Sequence, residues 1–467
     1  MNSTEIYNMN QEEISQLIKE NLKIDAKKKD KYGDVPTPPS LIVDMLDKLP
    51  GKIWLDPNRK WLDPAVGIGS FQMIVYERLF AGLEKWESDP AKRRDHIIQN
   101  MLFMYELNPQ NVKRVKSFFG EKVNVTKGDF LKSKEDQKFD VIIGNPPFND
   151  SQQASGKKGG GDSLWPDFVL KSLELLNPHG YLVFVHPASW RKPQSTNSKT
   201  NGLFKKMAND NQIEYLEIHS KSDGVKMFDV QTRYDWYVLQ NVPCFKPTII
   251  VDETSRRNAI DLRGWEFLPN CYYSEVNPLL CKKRENGECL EVIYSRNQFG
   301  TDKSWISETK QNEFKYPVIH STPADGSRTY WSNTKHPEIR NPIEMFGVKK
   351  LIFGESGINN VIFDVDGEYG MTQGAIGIKI DSTKEGLRMK RVLESERFGR
   401  ILKALSFGNF RIDWRLFLFF KKDFHTFFLK KRENPKKNNR SAKKKNKKNK
   451  KHKTKKLHAV IDNINRL

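Results

Sequence analysis

Cysteine is scarce, with four in 467 residues. Cys244, Cys271, Cys281 and Cys289 stand 27, 10 and 8 positions apart, so there is no CxxC pair and no zinc-ligand spacing. No metal is expected, and the thiols are expected to be free, as in a reducing compartment. No apolar run is long enough to cross a bilayer. The stretch MNSTEIYNMNQEEISQLIKE at the N-terminus has no signal-peptide core. An intracellular protein is expected, cytoplasmic or, in a eukaryotic host, nuclear, with no membrane partner. Acid is also in deficit, and the formal net charge is +21. Residues 430–456 hold 16 lysines and arginines against one acid, a net of +15, which leaves the rest mildly basic. The Lys-rich tail, 429–467, cannot build a core and is expected to be disordered.

What the chain does have is alternation. Apolar strands (KWLD, MLFMYEL, VNVTKGD, FDVIIGN, YLVFVHP, IEYLEIH, YDWYVLQ) are separated by helical stretches. Among these, NPQNVKRVKSFFG has Asn108 as cap and Pro109 in its first turn. Near-continuous apolar strands predict an α/β fold, a mostly parallel, doubly wound sheet covered on both faces. The last two strands, joined by the turn-like SDGVKMFDVQT, predict an antiparallel edge. Four segments follow: a helical and basic segment over 1–33, the sheet domain over 34–243, an irregular α+β domain rich in aromatics over 244–428, and the tail.

Polar residues gather where the strands end. LDPAVGIGSF leaves a strand and opens a helix, with Gly67 and Gly69 permitting a tight turn and close approach of a ligand. Glu106 ends the next strand, where a carboxylate can hold the two hydroxyls of a ribose. Asp129 ends the third, where an adenine amino group could be read. Asn145 ends the fourth. With Asp63, that makes four strands ending in polar groups on the side where open parallel sheets bind ligands. A nucleoside site is expected. After Gly144 come Asn145, Pro146, Pro147 and Phe148. Two prolines fix the backbone and remove two N–H donors. What remains is mainly acceptors, the Asn145 side-chain oxygen and the Pro146 carbonyl, beside a ring that can stack. That corner suits an amino group on a flat heterocycle.

These motifs resemble N6-adenine DNA methyltransferases of the gamma arrangement, as in type II restriction–modification systems, over roughly residues 34–242. DPAVGIGSF is similar to the family's methionine loop, which implies that Asp63, Ala65, Gly67 and Gly69 contact S-adenosyl-L-methionine. YEL and GDF match the ribose acid, Glu106, and the adenine contact, Asp129. NPPF matches the catalytic motif, Asn145 to Phe148. VPTPPSLIVDML resembles the motif that supplies Thr37 and Pro38 to the carboxylate end of the donor. KMFDVQTRYDWYVL resembles the motif whose aromatic, here Phe228, completes the stacking of the target base with Phe148. The resemblance implies a Rossmann-like methyltransferase that flips adenine out of duplex DNA and transfers the methyl group directly, without metal. The region after 244 would be the target-recognition domain. Residues 1–30 leave no room for a fused nuclease, so methylation without cleavage is expected, with a separate cognate restriction endonuclease as a partner and a monomeric chain. NPPF-type sites also occur in enzymes that methylate guanine N2 of ribosomal RNA or a protein glutamine. Those usually carry little after the catalytic sheet. An inactive nucleic-acid-binding protein of the same fold is the third reading, against which all the expected site residues are present.

Overall fold

The computed structural model describes residues 36–149, 163–281, 287–408 and 411–429. The expectations for 1–33 and for the tail beyond 429 lie outside the described residues. The elements below belong to the compact unit that ends at Phe424.

Nine strands form the main sheet: β1 (Trp61–Asp63), β2 (Leu102–Glu106), β3 (Asn124–Lys127), β4 (Phe139–Gly144), β5 (Leu176–Pro187), β6 (Gln212–Ile218), β7 (Tyr234–Gln240), β8 (Thr248–Val251) and β9 (Arg257–Ile260). Their order is β3-β2-β1-β4-β5-β7-β6-β8-β9. The first five are parallel. The helices that matter most for the site are α1 (Pro39–Leu46), α2 (Ser70–Gly82), α3 (Pro109–Phe119), α4 (Trp165–Leu175) and α5 (Lys221–Phe228). Asn108 caps α3, accepting from Gln110 N at 3.0 Å. α2 follows β1 directly, and its buried residues Phe71, Ile74, Val75 and Leu79 join Trp61, Leu102, Val141 and Val183 in one core. Burying each such side chain is worth about 1.5–3 kcal/mol, which holds the strand ends in a fixed register.

The antiparallel part of the sheet differs from the expected edge. β7 runs antiparallel to both β5 and β6 and lies between them. The sheet then continues past residue 243 through β8 and β9. β7 is buried from Tyr234 to Leu239, as an interior strand covered on both faces must be. The expected turn between β6 and β7 is the helix α5. Ser220 and Asp223 close a reciprocal capping box at its start, which stabilises so short a helix.

Beyond the main sheet, the C-terminal region holds two four-stranded sheets. One contains β10 (Val292–Ile293), β14 (Lys350–Gly354), β15 (Gly357–Asp364) and β17 (Ala375–Lys379); the other contains β11 (Ile306–Ser307), β12 (Tyr316–Ser321), β13 (Arg328–Ser332) and β16 (Gly370–Met371). Against the expectation of four free thiols, Cys281 and Cys289 form a disulfide with Cα atoms 6.0 Å apart. Both segments pair with one stretch: Cys281 N donates to Phe419 O at 2.8 Å and Leu290 N to Phe420 O at 2.8 Å. That shared partner brings the two cysteines together. Cys244 and Cys271 are free.

Candidate active site

The carboxyl ends of β1, β2 and β4 converge because β1 lies between the other two. Asp63 ends β1 and is 1% exposed. Its Oδ1 accepts from Ala65 N at 3.1 Å. A Cβ on Gly144, at the end of β4, would come within 2.9 Å of the same oxygen. The missing side chain therefore lets the end of β4, one residue before Asn145, pack against the Asp63 carboxylate.

The loop between β1 and α2 is shaped by left-handed glycines, Gly67 at φ 56° and Gly69 at φ 91°. Gly67 N donates to Glu106 Oε2 at 2.7 Å, and Asn108 N donates to Glu106 Oε1 at 2.6 Å. Glu106 thus anchors the glycine loop to β2, a role the sequence did not suggest. Val66 N adds a bond to Tyr105 O at 3.0 Å. A Cβ on Gly67 would meet nothing within 4 Å, so the loop leaves open space above its backbone. That open space lies beside the Glu106 carboxylate, which accepts from Gly67 N.

Burial pushes the Asp63 carboxyl up to about 8, with the Glu106 charge adding to the effect and the Ala65 N–H opposing it. No cation among the described residues offsets the loss of solvation, so the donor set suits a ligand that brings positive charge. Because the folded value lies above the ordinary 3.8, ionisation opposes folding. The cost is absent below the ordinary value, grows as pH rises, and is complete above about 8. Asp63→Asn is accordingly expected to raise the thermal midpoint of the ligand-free protein above about pH 8 while weakening donor binding. Paired melting curves and calorimetry check this; a lower midpoint at that pH would contradict it.

Pro146 is buried, whereas Asn145, Pro147 and Phe148 are partly exposed. Phe148 O accepts from Leu164 N at 3.1 Å, which ties the corner to the start of α4. Trp165 of α4 stacks on His186 of the neighbouring strand β5 at 4.3 Å, and His186 Nε2 lies 3.1 Å from the Tyr237 hydroxyl. Burial pushes His186 down to about 4, so it is neutral at physiological pH. This aromatic layer braces the end of β5, the strand beside β4.

The remaining expected residues are less closely joined. Asp129 caps a short turn, its Oδ1 accepting from Leu131 N at 3.0 Å. Lys171 of α4 fastens that turn, donating to Ser133 O at 2.7 Å and to the Phe130 carbonyl; nothing in the sequence singled it out. Thr37 and Pro38 stand at the entry to α1, with Thr37 buried; Arg78 of α2 donates to Val43 O of α1 at 3.5 Å. Phe228 does not fit the stacking role expected of it. It is 4% exposed, lies in the core, and meets Tyr234 edge-on at 5.0 Å. A ring so deeply buried leaves little surface for an incoming base.

Residues 53–225 match the family model described as Eco57I restriction-modification methylase, in agreement with the resemblance read from the sequence. A curated Mycoplasma pneumoniae protein, described as an uncharacterized adenine-specific methylase, is 26% identical; the match covers 34% of this chain and 55% of that protein. The chain thus spans about half the length of that relative. Among solved structures, the type IIL restriction-modification enzyme MmeI in complex with DNA matches 87% of this chain and 70% of its own, with a TM-score of 0.51 and 13% identity. A modification subunit of a putative type I restriction enzyme from Vibrio vulnificus matches 52% of this chain and 53% of its own, at 14% identity and a TM-score of 0.38. At 13% identity the likeness to MmeI is one of fold. It takes in most of the chain.

Proposed function

We propose that this chain is a site-specific DNA methyltransferase that moves a methyl group from S-adenosyl-L-methionine to the N6 amine of adenine in duplex DNA. The observation that carries this reading is the placement of Asn145 and Pro146 at the end of β4, with Gly144 packed against Asp63 of the glycine-loop site. Asp63, Ala65, Gly67, Gly69 and Glu106 would hold the donor, with Thr37, Pro38 and Asp129 at its periphery. S-adenosylmethionine supplies an electrophilic methyl on a positively charged sulfur. The Asn145 side-chain oxygen and the Pro146 carbonyl would accept the two amino hydrogens of the base, which leaves the nitrogen lone pair directed at the methyl carbon; as the N–C bond forms the S–C bond breaks to leave a neutral thioether, and the methylated nitrogen then loses one proton to solvent. Phe148 stacks on the ring. Most of the acceleration then comes from holding the two reactants in line. The base enters the corner only when flipped from the duplex.

The test is transfer of tritium from labelled donor to duplex DNA, ribosomal RNA and release-factor protein, followed by nucleoside and amino-acid analysis. Label in DNA as N6-methyladenine supports the reading. Label in RNA guanine or protein glutamine alone overturns it and promotes the corresponding alternative.

The Lys-rich tail would add DNA affinity through counterion release, without sequence preference. Deleting 430–467 is expected to flatten the salt dependence of DNA binding and to leave the methylated sequence unchanged. Titrations at several salt concentrations check the first expectation, and a shifted methylation motif would contradict the second.

A further inference from the structure

Glu355, just after β14, is held by its own backbone. Its N–H donates to Gly374 O at 2.9 Å, and its C=O accepts from Ile412 N at 2.7 Å. Its side chain is 8% exposed, yet Arg411 Nη1 lies 3.3 Å from Glu355 Oε2 on a side chain that is 73% exposed. A buried carboxylate therefore stands at ion-pair distance from a guanidinium that is largely exposed. Other groups suited to nucleic acid surround the pair. His320 Nδ1 lies 2.7 Å from Thr372 Oγ1, and its ring is 5.3 Å from Tyr330. Burial lowers the pKa of His320, and Arg328 and Arg411 are near enough to lower it further. Burial raises that of Glu355, while Tyr294, Arg411 and Arg296 pull it back.

The cluster is tied to the catalytic sheet. Asp413, two residues after Arg411, accepts from Arg415 Nε at 2.7 Å and lies 4.0 Å from Lys192 Nζ. Lys192 follows the short turn Ala188–Arg191 that leaves the end of β5, the strand beside β4. The exposed guanidinium is thus anchored on the side of the sheet where Asn145 stands.

We infer that Arg411, oriented by Glu355, reads a guanine in the recognised DNA sequence. This rests on the methyltransferase reading above. A guanidinium fork matches the O6 and N7 acceptors of guanine in the major groove. A carboxylate at 3.3 Å fixes the guanidinium but offsets its charge, which weakens attraction to a phosphate anion more than hydrogen bonding to an uncharged base edge. A fixed fork also sharpens the reading of that edge. Arg411 is the specificity residue, and Glu355 is its positioning residue.

The experiment maps N6-methyladenine by single-molecule sequencing after full-length protein has acted on a random-sequence duplex library. Wild type, Arg411→Ala, Arg411→Lys and Glu355→Gln are compared, with donor affinity measured by calorimetry to show that each is folded. Arg411→Ala is expected to lose preference for guanine at one position by about tenfold to a hundredfold, while other positions keep theirs. Lysine should not restore it, and Glu355→Gln should relax the same position. An unchanged motif in Arg411→Ala overturns the assignment. So does a uniform loss across sequences that lysine restores, which marks a phosphate contact. In both cases a methylating wild type leaves the enzymatic reading standing. A wild type that leaves DNA unmethylated overturns that reading, and this inference with it.

Discussion

Replacing Asn145 with alanine is expected to lower methyl transfer by a factor on the order of 10²–10³, the usual effect of removing one preorganised polar contact at a reacting centre, while donor affinity stays near that of the wild type. The asymmetry follows from the layout. The donor-side contacts would come from β1, β2 and the glycine loop, where Glu106 holds Gly67 N and Asn108 N at 2.7 and 2.6 Å. Asn145 follows β4 and would face the target amine. Alanine would leave the Pro146 carbonyl as the one acceptor, so the nitrogen lone pair would lose its direction. Single-turnover label transfer and calorimetry on the same preparation check both halves. Loss of donor binding in Asn145→Ala would move the residue to the cofactor side and contradict this account.

The second large effect is expected at Arg191, far from the chemistry in sequence. Arg191 and Asp235 are both fully buried. Arg191 Nε and Nη2 reach the two Asp235 oxygens at 2.6 and 3.0 Å. The same guanidinium donates to Leu268 O at 3.0 Å, Pro269 O at 3.2 Å and Asn270 Oδ1 at 2.9 Å. The network clamps the turn after β5 and the start of β7 to the segment that leads into the C-terminal region. Arg191→Ala would leave the buried Asp235 carboxylate without its cation, with the Trp190 indole N–H still donating at 2.8 Å, at a cost of about 3–5 kcal/mol. Adding Asp235→Asn should recover part of that loss by removing the orphaned charge. Urea unfolding curves check this. A loss below about 1 kcal/mol, typical of an exposed pair, would show that the network is not structural.

The main sheet was legible because parallel strands covered on both faces must be apolar along their length, as Val141, Ile142 and Ile143 are. Its strand ends were legible for the complementary reason: Asp63, Glu106 and Asn145 break that pattern where β1, β2 and β4 stop. The position of β7 was within reach too, since Tyr234 to Leu239 reads as an interior strand. Its closeness in sequence to β6 suggested an edge instead. Helix α5 was missed although Ser220 and Asp223 stand at capping-box spacing, because Gly224 and the polar run around it look like a turn. Phe228 was assigned by motif alone, and a motif does not say which way a ring is covered. The Arg191 network and the Arg411–Glu355 pair join residues dozens of positions apart, and no local pattern announces them. The disulfide was hidden for the same reason, since Phe419 and Phe420 bring its two segments together from well over a hundred residues away.

The most direct test of the central claim is to express the full chain in a host without adenine methylation and sequence the genomic DNA by a single-molecule method that detects N6-methyladenine, with Asn145→Ala as the control. The account predicts N6-methyladenine at one defined sequence in cells carrying the wild-type chain and its loss in the control. Methylation that persists with Asn145→Ala, or wild-type DNA without N6-methyladenine while ribosomal RNA or protein gains methyl groups, would contradict it.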